Sequence, residues 1–199
     1  MIKKLLIANR GEIAVRIIRA CKELGIETVA VYSTVDKENL HVRLADKAVC
    51  IGPAPSSKSY LNGDAIISAA LLTGCEAIHP GVGFLSENAK FAKKVEDAGL
   101  FWIGPDPETI EMLGDKVRAR STAQQYNLNP TPGSQGAITN IEDAKLMANK
   151  CGYPIIIKAA SGGGGKGMRI VYEEKNLAEN LQIASSEALS NFADSTIYI

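Results

Sequence analysis

Two periodicities alternate along the first half of the chain. Short apolar runs at residues 4–8, 27–32, 48–51, 77–79 and 101–103 read as strands, separated by stretches with helical spacing. In residues 12–24, Ile13, Ile17, Cys21 and Leu24 share one face with Ala14 and Ile18 beside them. Arg16, Arg19, Lys22 and Glu23 take the opposite face, and Gly25 is placed to stop the helix. Residues 64–72 and 87–98 read as further helices, the second ending at Gly99. Short apolar strands joined through helices predict an α/β fold: a mostly parallel, Rossmann-like sheet covered on both faces.

The pattern then changes. Gly104-Pro105-Asp106-Pro107 breaks the alternation, and a short helix is predicted at 108–113. Gly114 ends it and Asp115 is placed to cap the next, from 116 to about 125. Lys116 at a first helical position opposes the helix dipole, and a residue that breaks a local rule can mark a site. Residues 127–140 carry Pro130, Pro132, Gly133 and Gly136 and read as a loop. A helix at 141–150, a glycine-rich hairpin and a helix at 176–188 follow. Residues 195–199 read as a strand that runs into the chain terminus, as though the chain were cut inside a fold. Two domains are expected, 1–113 and 114–199, the second truncated.

The hairpin carries the chemistry. Between the strand-like runs Ile155-Ile156-Ile157-Lys158 and Met168-Arg169-Ile170-Val171-Tyr172 lie Gly162, Gly163, Gly164, Gly165, Lys166 and Gly167. Successive glycines leave backbone N–H groups free to converge on anionic oxygens, and Lys158 and Lys166 add positive charge. A P-loop would need a hydroxyl residue after Lys166, where Gly167 stands, and a helix after that. A dinucleotide fingerprint also opens a helix, and Asn9-Arg10-Gly11-Glu12 has one glycine and an acidic residue where a pyrophosphate would sit. What remains is a hairpin whose tip closes over a nucleotide's phosphates. An ordinary surface hairpin is the alternative, and the flanking strands and two lysines favour the nucleotide.

Composition narrows the partners. Lys+Arg and Asp+Glu both number 22, so no net field favours nucleic acid or an anionic membrane. Hydrophobic content of 46% belongs to an ordinary globular protein, and no apolar stretch is long enough to span a bilayer. Cys21, Cys50, Cys75 and Cys151 are widely spaced and His41 and His79 are the two imidazoles, so a structural zinc site is not expected. The cysteines read as buried, reduced thiols of a cytoplasmic protein. His79, before Pro80 at a strand end, reads as structural.

Four motifs together resemble the biotin carboxylase family. They are Ile7-Ala8-Asn9-Arg10-Gly11-Glu12-Ile13-Ala14, the block His79-Pro80-Gly81-Val82-Gly83-Phe84-Leu85-Ser86-Glu87-Asn88, the Gly114-Asp115-Lys116 turn, and the hairpin with Lys158. The resemblance implies a biotin carboxylase N-terminal domain followed by the first part of an ATP-grasp domain. It implies that Lys116 and Lys158 contact ATP, that residues 162–167 form the lid over its phosphates, and that Met168 lies against adenine. It implies a ligase that uses ATP, Mg²⁺ and bicarbonate to form carboxyphosphate and then carboxylates biotin on a carrier protein. The implied partners are the biotin carboxyl carrier protein and a carboxyltransferase, as in acetyl-CoA carboxylase of fatty acid biosynthesis or a relative, with a homodimer possible. Val82 stands where the family usually has Tyr, in the block bordering the biotin and bicarbonate region. The family's Mg²⁺ carboxylates, catalytic base and bicarbonate arginine match no part of this chain, so no catalytic or metal residue is assigned. The chain alone is expected to lack carboxylase activity and to bind nucleotide weakly at best.

Two other readings compete. A carbamoyl-phosphate or purine-pathway ATP-grasp ligase would share the hairpin but not the 79–88 block. A non-catalytic interaction module would pair with an intact subunit through Arg16, Arg19 and Glu23.

Overall fold

The computed structural model describes residues 2–114, 116–134, 136–159, 168–192 and 194–199, without the side chains at 116, 117, 191 and 192. Chain contacts divide it into two compact units, Met1–Gly114 and Asp115–Ile199.

In the first unit, β1 (Lys4–Ile7), β2 (Glu27–Ser33), β3 (Lys47–Gly52), β4 (Ala77–His79) and β5 (Phe101–Trp102) form a parallel sheet of order β3-β2-β1-β4-β5. Alternation along β1 sends Leu5 and Ile7 to one face and Leu6 and Ala8 to the other. The first pair meets Ala14, Ile18 and Cys21 of α1 (Gly11–Glu23). The second packs with Ile66 and Ala70 of α3 (Gly63–Thr73) and with Phe91 and Val95 of α4 (Ala89–Asp97). Burial on both faces is why these strands read as continuous apolar runs. A short α2 (Leu40–Leu44), missed in the sequence, precedes β3 and buries His41.

Several boundaries shift. The buried stripe of α1 runs through Ala14, Val15, Ile18 and Cys21, while Leu24 is exposed, so the face expected at 13-17-21-24 is rotated toward the smaller side chains. Helix α4 starts at Ala89, not 87, because the Asn88 side chain accepts from Phe91 N–H and caps it. Four buried thiols were expected. Cys21 and Cys75 are buried, whereas Cys50 on edge strand β3 is exposed and Cys151 half-buried; all four are free.

The second unit follows α5 (Pro107–Gly114), which closes the first. It contains α6 (Lys116–Gln125), α7 (Ile141–Cys151), α8 (Leu177–Phe192) and an antiparallel sheet of order β7-β6-β8. The strands are β6 (Ile155–Ala159), β7 (Arg169–Val171) and β8 (Ile197–Tyr198). Its core sets Ile155, Ile157, Val171 and Ile197 against Ala144, Ala148, Leu181 and Ala184 of α7 and α8. The last strand is two residues long rather than the five expected, because Thr196 N–H turns to the Asp194 carboxylate.

Candidate nucleotide-binding face

Strand β6 is three isoleucines, a lysine and an alanine, and its pleat sorts them. Ile155, Ile157 and Ala159 are buried, whereas Ile156 is exposed and Lys158 half-buried. Register then fixes the neighbours: Ile156 lies opposite Ile170 on β7, and Lys158 opposite Tyr198 on β8. Met168 and Tyr172 share the parity of Ile170 and are exposed with it. The sheet therefore keeps one covered face and one open face, and the open face is an apolar platform with Lys158 at one end. That end leads into residues 160–167. Arg169 has the other parity and is held by the Glu187 carboxylate of α8. A cation adjacent in sequence is thus withdrawn from the open face.

Of the residues singled out in the sequence, Lys158 and Met168 fall on this face. Gly162, Gly163, Gly164, Gly165, Lys166 and Gly167 lie outside the described residues, as does the expected cap Asp115. Lys116 opens α6, and its side chain also lies outside the description. On the Lys158 side a cavity of about 440 Å³ is lined by Arg120, Thr131, Lys158 and Tyr198 among others. Arg120 and Tyr198 were not anticipated. The four-residue spacing from Lys116 to Arg120, which puts both positions on one side of a helix, was the available signal.

The carboxyl edge of the parallel sheet is arranged differently. Open α/β sheets bind ligands where the strand order reverses, here between β1 and β4. That crevice is filled from within. The Asn9 side-chain amide donates to the carbonyls of Pro80 (2.8 Å) and Val82 (2.9 Å), bridging the two strand ends. Gly81, at φ +69°, passes so close that a Cβ would lie 2.7 Å from Asn9 Nδ2 and from Ile13 Cγ2. His79 Nδ1 accepts the Gly81 N–H at 3.0 Å, and burial pushes its pKa down.

A second cluster locks the same edge. The buried Asp36 carboxylate accepts from Ser33 Oγ, Tyr60 Oη and Asn39 Nδ2, and pairs with Arg10 at 3.5 Å. Burial pushes the Asp36 carboxyl up, but the Ser33 and Tyr60 hydrogen bonds and the Arg10 charge outweigh it and hold it below the ordinary range. Arg10 also lies over the rings of Tyr60 and Phe84, at 5.2 and 5.5 Å, and those rings stack at 5.0 Å. Phe84 sits at φ +45°, which a bulky residue rarely adopts unless its surroundings enforce it. Four strand-end segments are thereby tied together, and Val82 is left 70% exposed on the tied loop.

Residues 1–110 match the family described as "Biotin carboxylase, N-terminal domain", and residues 115–199 match "Carbamoyl-phosphate synthase L chain, ATP binding domain". Together they define an α/β protein in which an ATP-binding module follows a parallel-sheet domain. The chain belongs to the biotin carboxylase family. It is 56% identical over 199 residues to biotin carboxylase 1 of Bacillus subtilis, covering 100% of this chain and 44% of that relative. It is 49% identical over 196 residues to the mitochondrial propionyl-CoA carboxylase alpha chain of Sus scrofa, covering 98% and 27%. A biotin carboxylase–β,γ-ATP complex from Campylobacter jejuni superposes with a TM-score of 0.91 at 47% identity, covering 100% of this chain and 44% of that one. The biotin carboxylase domain dimer of Hydrogenobacter thermophilus 2-oxoglutarate carboxylase, with MgADP, ADP and bicarbonate, gives 0.90 at 46%, covering 100% and 44%. The chain thus spans less than half the length of these bacterial relatives.

Proposed function

We propose that the chain supplies the N-terminal domain and part of the ATP-binding module of an ATP-dependent biotin carboxylase. The observation that carries this is the open face of the second unit. Ile156, Ile170 and Met168 offer a flat apolar surface for a purine ring, and Lys158 stands where that surface leads into the glycine-rich segment. Such an arrangement suits a ligand that is apolar and planar at one end and anionic at the other.

The residues of this chain bind and orient in the proposed reaction. Lys158 and the backbone amides of residues 162–167 neutralise phosphate oxygens, with Lys116 adding a second side-chain cation and Met168 lying against the base. ATP supplies the phosphoryl group that activates bicarbonate, and biotin on a carrier protein accepts the carboxyl group. Among the described residues no group of three His, Cys, Asp or Glu is placed to hold a metal ion, so Mg²⁺ is given no ligand here. The proposed partners are the biotin carboxyl carrier protein, a carboxyltransferase and a second copy of the parent subunit. The acyl-CoA or keto acid served by the parent is chosen elsewhere.

The test is competition. ATP and ADP are expected to displace a fluorescent adenine nucleotide from the chain in the millimolar range, with a Lys158→Met variant weakened. Equal displacement by ATP and by free ribose, or no displacement at all, would contradict this reading.

A further inference from the structure

Helix α6 is mostly polar in sequence. Its sequence, Lys-Val-Arg-Ala-Arg-Ser-Thr-Ala-Gln-Gln, has no apolar stripe, and none of its side chains described, 118 to 125, is buried. Full burial of a described side chain therefore does not set its position. Among its described side chains, Arg120 reaches from it into the rest of the unit. The guanidinium Nη1 donates to the Thr131 carbonyl at 2.9 Å, across the loop that leads toward α7. The same nitrogen lies 3.6 Å from where a Cβ on Gly133 would stand. That glycine is itself required, because the same Cβ would come within 2.4 Å of the Ile199 carbonyl oxygen. Ser134 N–H then donates to that oxygen at 2.7 Å, so the loop is stitched to the end of β8.

Tyr198 on β8 completes the connection. Burial pushes its hydroxyl pKa up and the Arg120 charge pulls it back down, so the two side chains sense each other. Tyr198 is in turn the cross-strand partner of Lys158. One guanidinium thus links α6, the 131–134 loop and the strand beside Lys158.

We propose that Arg120 is a positioning residue of the nucleotide site, fixing where position 116 stands relative to Lys158. This rests on the nucleotide reading above. Position 116 is one turn before Arg120 on the same side of α6. Two cations serve one phosphate chain only while their separation is held, and a displacement of about 1 Å is enough to lose much of that benefit. Arginine suits the task because its planar fork carries several donors in fixed geometry.

The experiment is a double-mutant cycle on the 199-residue chain, with ATP affinity read from amide chemical shifts and helix protection from hydrogen exchange. Arg120→Met is expected to weaken ATP binding about tenfold. In a Lys116→Met background the same change is expected to cost less than about twofold, because its effect passes through position 116. Amides of α6 should exchange faster in Arg120→Met, with those of α7 and α8 unchanged. Parental affinity in Arg120→Met, an equal loss in both backgrounds, or unchanged α6 protection would each overturn the proposal. If Lys116→Met and Lys158→Met both bind ATP as the parent does, or the parent shows no ATP-dependent shifts, the nucleotide reading fails and takes this inference with it. If those two variants lose affinity and Arg120→Met does not, only this inference fails.

Discussion

The Tyr60 hydroxyl donates to the Asp36 carboxylate at 2.7 Å while accepting the Ser33 N–H at 3.0 Å, deep in the carboxyl edge of the parallel sheet. Burial first, and then the bond to Asp36, push the Tyr60 pKa up to about 12, and Asp36 is held below its ordinary value. A phenol raised in the folded state stabilises below its unfolded pKa near ~10 and loses that contribution as pH rises toward 12. A depressed carboxyl stabilises above ~3.9 and loses it as pH falls through the folded value. Tyr60→Phe leaves the Ser33 N–H unpaired and removes a donor from Asp36. It should destabilise the first unit by about 2 kcal/mol and flatten its alkaline arm, as measured by urea unfolding from neutral to alkaline pH.

Asn9 and Gly81 form the bridge across the point where strand order reverses. Asn9→Ala frees two carbonyls at once, and about 1–3 kcal/mol is expected to be lost. Gly81→Ala meets a left-handed backbone and a 2.7 Å clash together, so its cost should equal or exceed that. Thermal denaturation of the two variants and their combination checks this. The double should lose less than the sum, because both act on the same loop.

His79 gives the fold a mild sensitivity to acid. Its Nδ1 accepts a backbone N–H and the ring is half-buried, so the folded state prefers neutral imidazole. Stability attributable to it is complete above ~6.5 and declines as pH falls below that value. His41, whose pKa burial also lowers, acts in the same direction. Replacing His79 with Gln keeps an acceptor and removes the titration. The difference in urea midpoint between pH 7 and pH 5 should shrink but not vanish.

Ile156 and Ile157 are adjacent and should behave oppositely. Ile157→Ala empties a fully buried position and is expected to cost about 3 kcal/mol in the second unit. Ile156→Ala, on the open face, should cost less than about 1 kcal/mol and weaken adenine nucleotide binding several-fold. Chemical denaturation together with nucleotide titration separates the two, and a reversed order would place the open face on the wrong side of the sheet.

Much of the fold was legible because its rules are local. Alternation in β1 and β2 and the helical spacing of α1 follow from the periods of strand and helix. What escaped required tertiary context. The Asp36–Tyr60–Arg10 cluster joins residues 24 to 50 positions apart, and each taken alone looks like an ordinary surface polar or aromatic group. The short α2 has only one apolar turn around His41 and gives no periodic signal. The stripe of α1 was misaligned because Ala14 and Val15, small and beside larger residues, proved to be buried. In the candidate site, Lys158 was singled out from the hairpin pattern and Met168 through the family resemblance, and both fall on the open face. The diversion of Arg169 to Glu187 depends on parity against α8, which spacing alone does not reveal.

The most direct test is a backbone amide spectrum of the 199-residue chain titrated with MgATP. Shifts should concentrate at Ile156, Lys158, Met168, Ile170 and the start of α6, with the carboxyl edge of the parallel sheet unmoved. Shifts confined to residues 9–11 and 79–88, or none at millimolar ATP, would contradict the assignment of the nucleotide to the open face of the second unit.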